Sequence, residues 1–220
     1  GLLAEDRLDR GGLAADRSAR PDVRTLRRVD QRRRDPGPGL EVDAEVDALA
    51  GDRIIGMTQP LAETKARTLS RAGVDRILAF MQARTAIAIG PGLSTHPETV
   101  ELVQSLMKHL DRPSVLDADA LNALASRASL LTGCKIPPVL TPHPGEMARL
   151  EPEATSQSVN ADRLGTAARF ARERGVFLVL KGARTVIARP DGLLAICPTG
   201  NPGMATAGTG DVLTGMLVGF

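Results

Sequence analysis

The stretch from Gly200 to Phe220 constrains this chain most: it reads G-N-P-G-M-A-T-A-G-T-G-D-V-L-T-G-M-L-V-G-F. Glycine recurs at 200, 203, 208 and 210, and then Asp211, Val212, Leu213, Met216, Leu217 and Val218 follow at helical spacing. This pattern predicts a loop that opens a helix. Gly208 and Gly210 let the backbone approach a ligand with no Cβ in the way. The first N–H groups of the helix lack intrahelical acceptors and lie at the positive end of its dipole, so the junction favours an anion. Asp211 falls in the first turn, where a carboxylate is electrostatically favoured. The alternative is a glycine-rich turn whose Asp211 is only a helix cap.

The rest of the composition bears on what core and partners such a loop can have. The chain has 220 residues, of which 42% are hydrophobic, enough for one domain with a core of Leu, Val, Ile and Ala. Four Phe and no Tyr or Trp leave little to build a base-stacking platform, and 28 basic against 26 acidic residues give a net charge of +2. No nucleic-acid partner is expected. Cys134 and Cys197 have no metal-ligand spacing and read as buried thiols in a reducing compartment. No apolar run is long enough to span a membrane and no secretory signal is recognisable, so a cytoplasmic protein without a membrane partner is expected.

Residues 1 to 40 are rich in Arg and Asp, contain no Lys and close on Arg32-Arg33-Arg34-Asp35-Pro36-Gly37-Pro38-Gly39. They read as a solvated disordered arm, a basic nucleic-acid-binding arm, or a stretch out of frame, and the interspersed aspartates weigh against the second. Residues 1–56 are therefore expected to be disordered or artefactual. The folded domain is expected over 57–220, truncated at both ends.

Within that domain, Val74, Ile77, Leu78 and Met81 predict a helix, and Thr85 to Ile89 predicts a buried strand running into Gly90-Pro91-Gly92-Leu93. Pro97 to Leu110 predicts a second helix, with His96 and His109 at its ends or surface. Ser114 to Leu116 is a strand ending on Asp117-Ala118-Asp119. Two carboxylates so placed could position a metal, or a phosphate through Mg²⁺, although Asp119 could equally cap the helix that follows. Val139 to Thr141 is a third strand, leading to Pro142-His143-Pro144-Gly145-Glu146.

Val159 to Arg174 predicts one helix with Leu164, Ala167, Ala168 and Ala171 on its inner face. Val176 to Leu180 is the clearest strand, followed by the turn Lys181-Gly182-Ala183-Arg184-Thr185 and a hairpin of 186–188 and 193–196 around Asp191-Gly192. Lys181 could be a solvated charge, and Gly90-Pro91-Gly92 a plain tight turn. In an open α/β sheet, however, such strand-end loops gather on the ligand-binding edge. Neither a P-loop nor a Rossmann fingerprint is present.

Taken together, the string from Asn201 to Gly215, G-P-G-L at 90–93, V-L-D-A-D-A-L-N at 115–122, T-P-H-P-G-E at 141–146 and K-G-A-R-T at 181–185 resemble the ribokinase-like superfamily. Within it they resemble the ADP-dependent (S)-NAD(P)H-hydrate dehydratases, with His143 standing where the superfamily usually has Asn. The resemblance implies a three-layer α/β domain around a mainly parallel sheet. It implies Asp211 as the catalytic base and Gly92, His143 and Asp211 as substrate contacts. Lys181, Gly182, Ala183, Arg184, Thr185, Gly208, Thr209 and Gly210 would bind the nucleotide, and Asp117 and Glu146 would support Mg²⁺ indirectly. ADP would be the phosphoryl donor, the S-form of hydrated NADH or NADPH the substrate, and a homo-oligomer, a tetramer in the intact family, the assembly. The glycine-rich βαβ segment that opens such domains is not found in residues 1–56. A vitamin-precursor kinase of the same superfamily and a non-catalytic nucleotide-binding remnant are the alternatives.

Overall fold

The computed structural model describes residues 59–220, and the readings made for residues 1–56 lie outside them. A helix α1 (Val74–Met81) leads into β1 (Ile87–Ile89), α2 (Pro97–Met107) and β2 (Ser114–Leu116). Then come α3 (Asp119–Leu124), a 3₁₀ stretch Ala125–Leu131, β3 (Val139–Leu140), α4 (Pro144–Leu150), α5 (Ser156–Ala161) and α6 (Arg163–Arg174). The chain finishes with β4 (Phe177–Leu180), β5 (Val186–Ala188), β6 (Leu194–Ile196) and α7 (Thr209–Gly219).

The strands form one sheet in the order β1-β2-β3-β4-β5-β6. β1 to β4 run parallel and the hairpin β5-β6 adds two antiparallel strands, the mainly parallel α/β architecture expected. Each parallel crossover steps the same way across the sheet, and right-handed crossovers of that kind put their helices on one face. That leaves the other face to α7, which packs against β1 and β2. β2 is buried along its whole length, as a central parallel strand must be. Leu102, Leu116, Leu121, Leu140, Phe170, Leu178 and Leu180 fill the core, so one phenylalanine and many leucines do the work expected of an aromatic-poor chain.

The single helix expected over 159–174 is instead two. Asp162, with φ −136 and ψ 73, breaks it, and its carboxylate accepts a bond of 2.8 Å from the Gly165 N–H, capping α6. The local hydrogen bond outcompetes helix continuation, as it does for Asp generally. The restart also turns the helix: Leu164 is 43% exposed, and Thr166 and Phe170 join Ala167 and Ala171 on the inner face. Strand β1 and helix α2 are shorter than expected, and the two free cysteines are half-buried, not buried.

Replacing Asp162 by Ala removes one cap and should cost about 1 kcal/mol. The expected reading is a lower urea midpoint with an unchanged m-value; an unchanged midpoint would mean that the α5–α6 break is held by packing alone.

Candidate functional site

All four parallel strands deliver their carboxyl ends to one edge of the sheet, and the residues that follow them meet there. Asp117, directly after β2, is only 2% exposed. Its Oδ1 accepts from Lys181 Nζ at 2.8 Å, and its Oδ2 accepts from the Thr214 hydroxyl at 2.8 Å. Lys181 follows β4, and Thr214 lies in α7 one turn beyond Asp211. Burial alone would push the Asp117 carboxyl up, but hydrogen bonds from Lys181, Thr141 and Thr214 outweigh it and hold the acid below its ordinary range.

Glu146, buried within α4, joins this pair from the other side, with Oε2 3.7 Å from Lys181 Nζ. The same oxygen accepts from the His143 N–H at 2.8 Å, while His143 Nδ1 accepts from the N–H groups of Gly145 at 3.0 Å and Glu146 at 3.3 Å. This is a capping box built on histidine. His143 Nε2 lies 3.4 Å from Glu146 Oε1 and its side chain is half exposed.

One glycine lets a loop close on this cluster, and a second lies beside it. A Cβ on Gly90 would stand 1.7 Å from the Asp117 carbonyl oxygen, and its φ of +142 is open only to glycine. Gly210 lies against the ion pair: its Cβ position is 3.7 Å from Asp117 Oδ2 and 3.8 Å from Lys181 Nζ. The expected loop-to-helix junction is therefore real, with α7 starting at Thr209 behind Gly208 in a left-handed conformation. The Thr209 N–H bonds to the Thr206 carbonyl at 3.3 Å and the Val212 N–H to the Gly208 carbonyl at 3.1 Å. Among the described residues, the N–H groups of Gly208, Gly210 and Asp211 have no acceptor, the kind of unpaired donors at a helix start that suit an anion.

Asp119 does not cap α3. Its Oδ2 accepts from the Ser94 N–H at 2.8 Å and Oδ1 from Asn122 Nδ2 at 3.1 Å, so it ties the Gly90–Leu93 loop to the cluster. Between the two aspartates Ala118 has φ 48 and ψ −115, a strained conformation for a residue with a Cβ, held by the tethers on either side. Arg163 supports the other loop: its guanidinium donates to the carbonyls of Leu180 at 2.8 Å and Lys181 at 3.2 Å. Gly182, Ala183 and Arg184 are exposed around the rim, and so are Gly92, His143 and Asp211. Thr185 and Thr209 are half-buried there.

Thr214 and Arg163 carry interactions at the site that the sequence did not single out, and Asp119 makes a tether to Ser94 that its expected roles did not include. Thr214 could have been suspected only as a polar residue on the apolar side of a helix. Lys181 is not a solvated strand-end charge; it points inward under the glycine-rich loop. Among the described residues no group of three or more His, Cys, Asp or Glu can hold a metal, and both Asp117 oxygens are already committed to protein donors. The cluster therefore offers Mg²⁺ no direct ligand set, and only an indirect, charge-setting role is left to Asp117 and Glu146.

Fold and site together combine a mainly parallel α/β sheet with a helix start whose unpaired amides stand over the Asp117–Lys181 ion pair. The chain belongs to the Carb_kinase family of NAD(P)H-hydrate dehydratases, whose profile matches residues 42–220. It is 56% identical over 164 residues, 74% of this chain and 31% of the relative, to the bifunctional NAD(P)H-hydrate repair enzyme Nnr of Moorella thermoacetica. It is 44% identical over 144 residues, 64% of this chain and 48% of the relative, to the ADP-dependent (S)-NAD(P)H-hydrate dehydratase of Neisseria meningitidis. The crystal structure of the ADP/ATP-dependent NAD(P)H-hydrate dehydratase of Bacillus subtilis, co-crystallised with ATP/Mg²⁺, superimposes with a TM-score of 0.54 at 41% identity. That match covers 61% of this chain and 46% of the other. The chain thus spans about a third of the bifunctional relative and about half of the single-function one.

The lowered pKa of Asp117 gives a signed prediction. The ionised carboxylate stabilises the fold at pH values above its unfolded-state pKa, and that stability is lost as pH falls through the lower native value. Lys181 is the charged group in contact with it, Glu146 meets that ammonium in turn, and His143 meets Glu146. Asp117→Asn should cost about 3 kcal/mol at neutral pH by leaving the half-buried ammonium with Glu146 alone, and should flatten the acid limb of stability against pH. Urea midpoints measured from pH 7 down to pH 3 test it, and an acid limb as steep as that of the parent would refute the assignment.

Proposed function

We propose that this chain carries the ADP-dependent dehydration of the S-form of hydrated NADH or NADPH, giving NAD(P)H, AMP and phosphate. The observation that carries the reading is the convergence of the Gly210 and Asp211 amides with Lys181 on the carboxyl edge of the parallel sheet. Membership of the dehydratase family and the names borne by its relatives support this chemistry over that of a vitamin-precursor kinase.

ADP lies along the Lys181–Thr185 turn with its terminal phosphate at the start of α7. The free amides of Gly210 and Asp211 and the Lys181 ammonium offset the charge on that phosphate. The substrate lies over Gly92 and His143. Asp211 orients the hydroxyl of the hydrated ring and accepts its proton as the oxygen attacks the terminal phosphorus. The bond from that phosphorus to the oxygen kept by AMP breaks. The phosphorylated ring then releases phosphate by carbon–oxygen cleavage, a proton leaves the neighbouring carbon, and the dihydronicotinamide is restored. Nucleotide use brings Mg²⁺ with the phosphates, and the protein's part in holding it is indirect. A homo-oligomer, tetrameric as the resemblance implied, is the assembly proposed for the intact protein.

Purified chain given ADP, Mg²⁺ and hydrated NADH, beside an ATP control, should return the absorbance of the dihydronicotinamide. ADP binding without turnover would overturn the enzymatic reading and favour a nucleotide-binding remnant. Asp211→Asn should lower turnover by about 10³-fold or more, in the range seen when a catalytic carboxylate is lost, with ADP affinity within about threefold of the parent. A variant retaining a tenth of the parent rate would remove Asp211 from the role of base.

A further inference from the structure

We infer that Thr214 is a positioning residue: by donating to the buried Asp117 it fixes the rotation and depth of α7, and so aims Asp211 and the first-turn amides at the reacting phosphate. The inference rests on the reading given under Proposed function.

The geometry leaves few other tethers for the start of that helix. Gly208 supplies no side-chain cap, and Asp211, Val212, Gly215 and Met216 are exposed. Thr214 is the buried residue of α7, 3% exposed, and its hydroxyl meets Asp117 Oδ2 at 2.8 Å. Asp211 and Thr214 are three residues apart, so they share one side of the helix about one turn from each other. Any rotation of α7 that moved Asp211 would therefore draw the hydroxyl off the carboxylate.

The carboxylate itself cannot follow. Its Oδ1 is held by Lys181, its backbone N–H donates to the Ile89 carbonyl at 3.0 Å, and its carbonyl fills the space where Gly90 lacks a Cβ. A rigid acceptor on the sheet thus meets a single donor on the helix. Thr214 touches no reacting atom in this arrangement. It acts by holding the residue that does.

The test compares the 220-residue chain with Thr214→Val, which keeps the shape and removes the donor, and Thr214→Ser, which keeps the donor. Steady-state turnover of hydrated NADH with ADP gives kcat and KM, and amide hydrogen exchange across residues 208–216 is followed against strands β2 and β4. Thr214→Val should lower kcat by about 10- to 100-fold, the scale of a misplacement near 1 Å, while KM for ADP changes less than about twofold. Exchange in the first turn of α7 should quicken by at least about fivefold while β2 and β4 keep their protection. Thr214→Ser should restore both.

Unchanged kcat and exchange in the Val variant would overturn the inference. So would a Ser variant as impaired as Val, or exchange that quickens equally in the strands, which is a loss of stability and not of position. If the parent chain turns nothing over, the dehydratase reading of this chain fails on its own, and the exchange comparison alone decides whether Thr214 holds α7.

Discussion

A carboxylate taken out of water must be paired or neutralised, and at Asp117 that requirement shapes the whole functional edge of the sheet. Its partners come from far along the chain, Lys181 64 residues away and Thr214 97 residues away. Satisfying one buried charge therefore brings the ends of β2 and β4 and the flank of α7 to one point. Broken on either side, the pair would leave an ion without a counter-charge of equal quality, because Glu146 is nearly an ångström farther from Lys181 than Asp117 is. The cluster is therefore a registration device. It sets where three loops stand relative to one another.

That arrangement divides the work between charge and dipole. Lys181, held from below by two acids, is far from an unopposed cation, and an anion arriving at α7 meets it already partly neutralised. The unpaired amides of Gly210 and Asp211 carry the fixed partial charge above it. N–H groups held in that way need no reorganisation to meet an anion, while the lysine keeps its hydrogen bond to Asp117 and only a longer ion pair to Glu146. Gly90 makes this possible by letting its loop lie against the Asp117 carbonyl, where a Cβ would collide, while Gly210 stands beside the carboxylate with ordinary contact room.

Much of this edge was legible in the sequence because its signals are local. Ser114–Leu116 was read with its true bounds from a short apolar run ending on aspartate, and the loop before α7 from the spacing of its glycines. What failed depended on partners distant in sequence or on competition between nearby ones. Asp119 looked like a cap because caps are where Asp usually occurs, yet its acceptor capacity goes to Ser94, 25 residues back. Val159–Arg174 looked continuous because its apolar period survives a break, whereas the Asp162 carboxylate was free to cap a new start. Lys181 left room for a solvated charge, since nothing beside it in the chain announces Asp117. Thr214 could be placed on the apolar side of its helix, but no local pattern names Asp117 as its acceptor.

His143 shows how a substitution within a shared motif can keep one job and change another. The position starts α4, and its Nδ1 accepts two backbone N–H groups there, a duty an Asn oxygen could also perform. Because Nδ1 is an acceptor, the proton of the neutral ring resides on Nε2, on the side of Glu146 Oε1 and of solvent. An Asn in that place would spend its oxygen on the cap and leave a short amide. Histidine spends one nitrogen and projects a donor farther out from the same backbone. That Nε2 stands 3.4 Å from Glu146 Oε1 and half in solvent, so the cap and the carboxylate together fix where the ring lies.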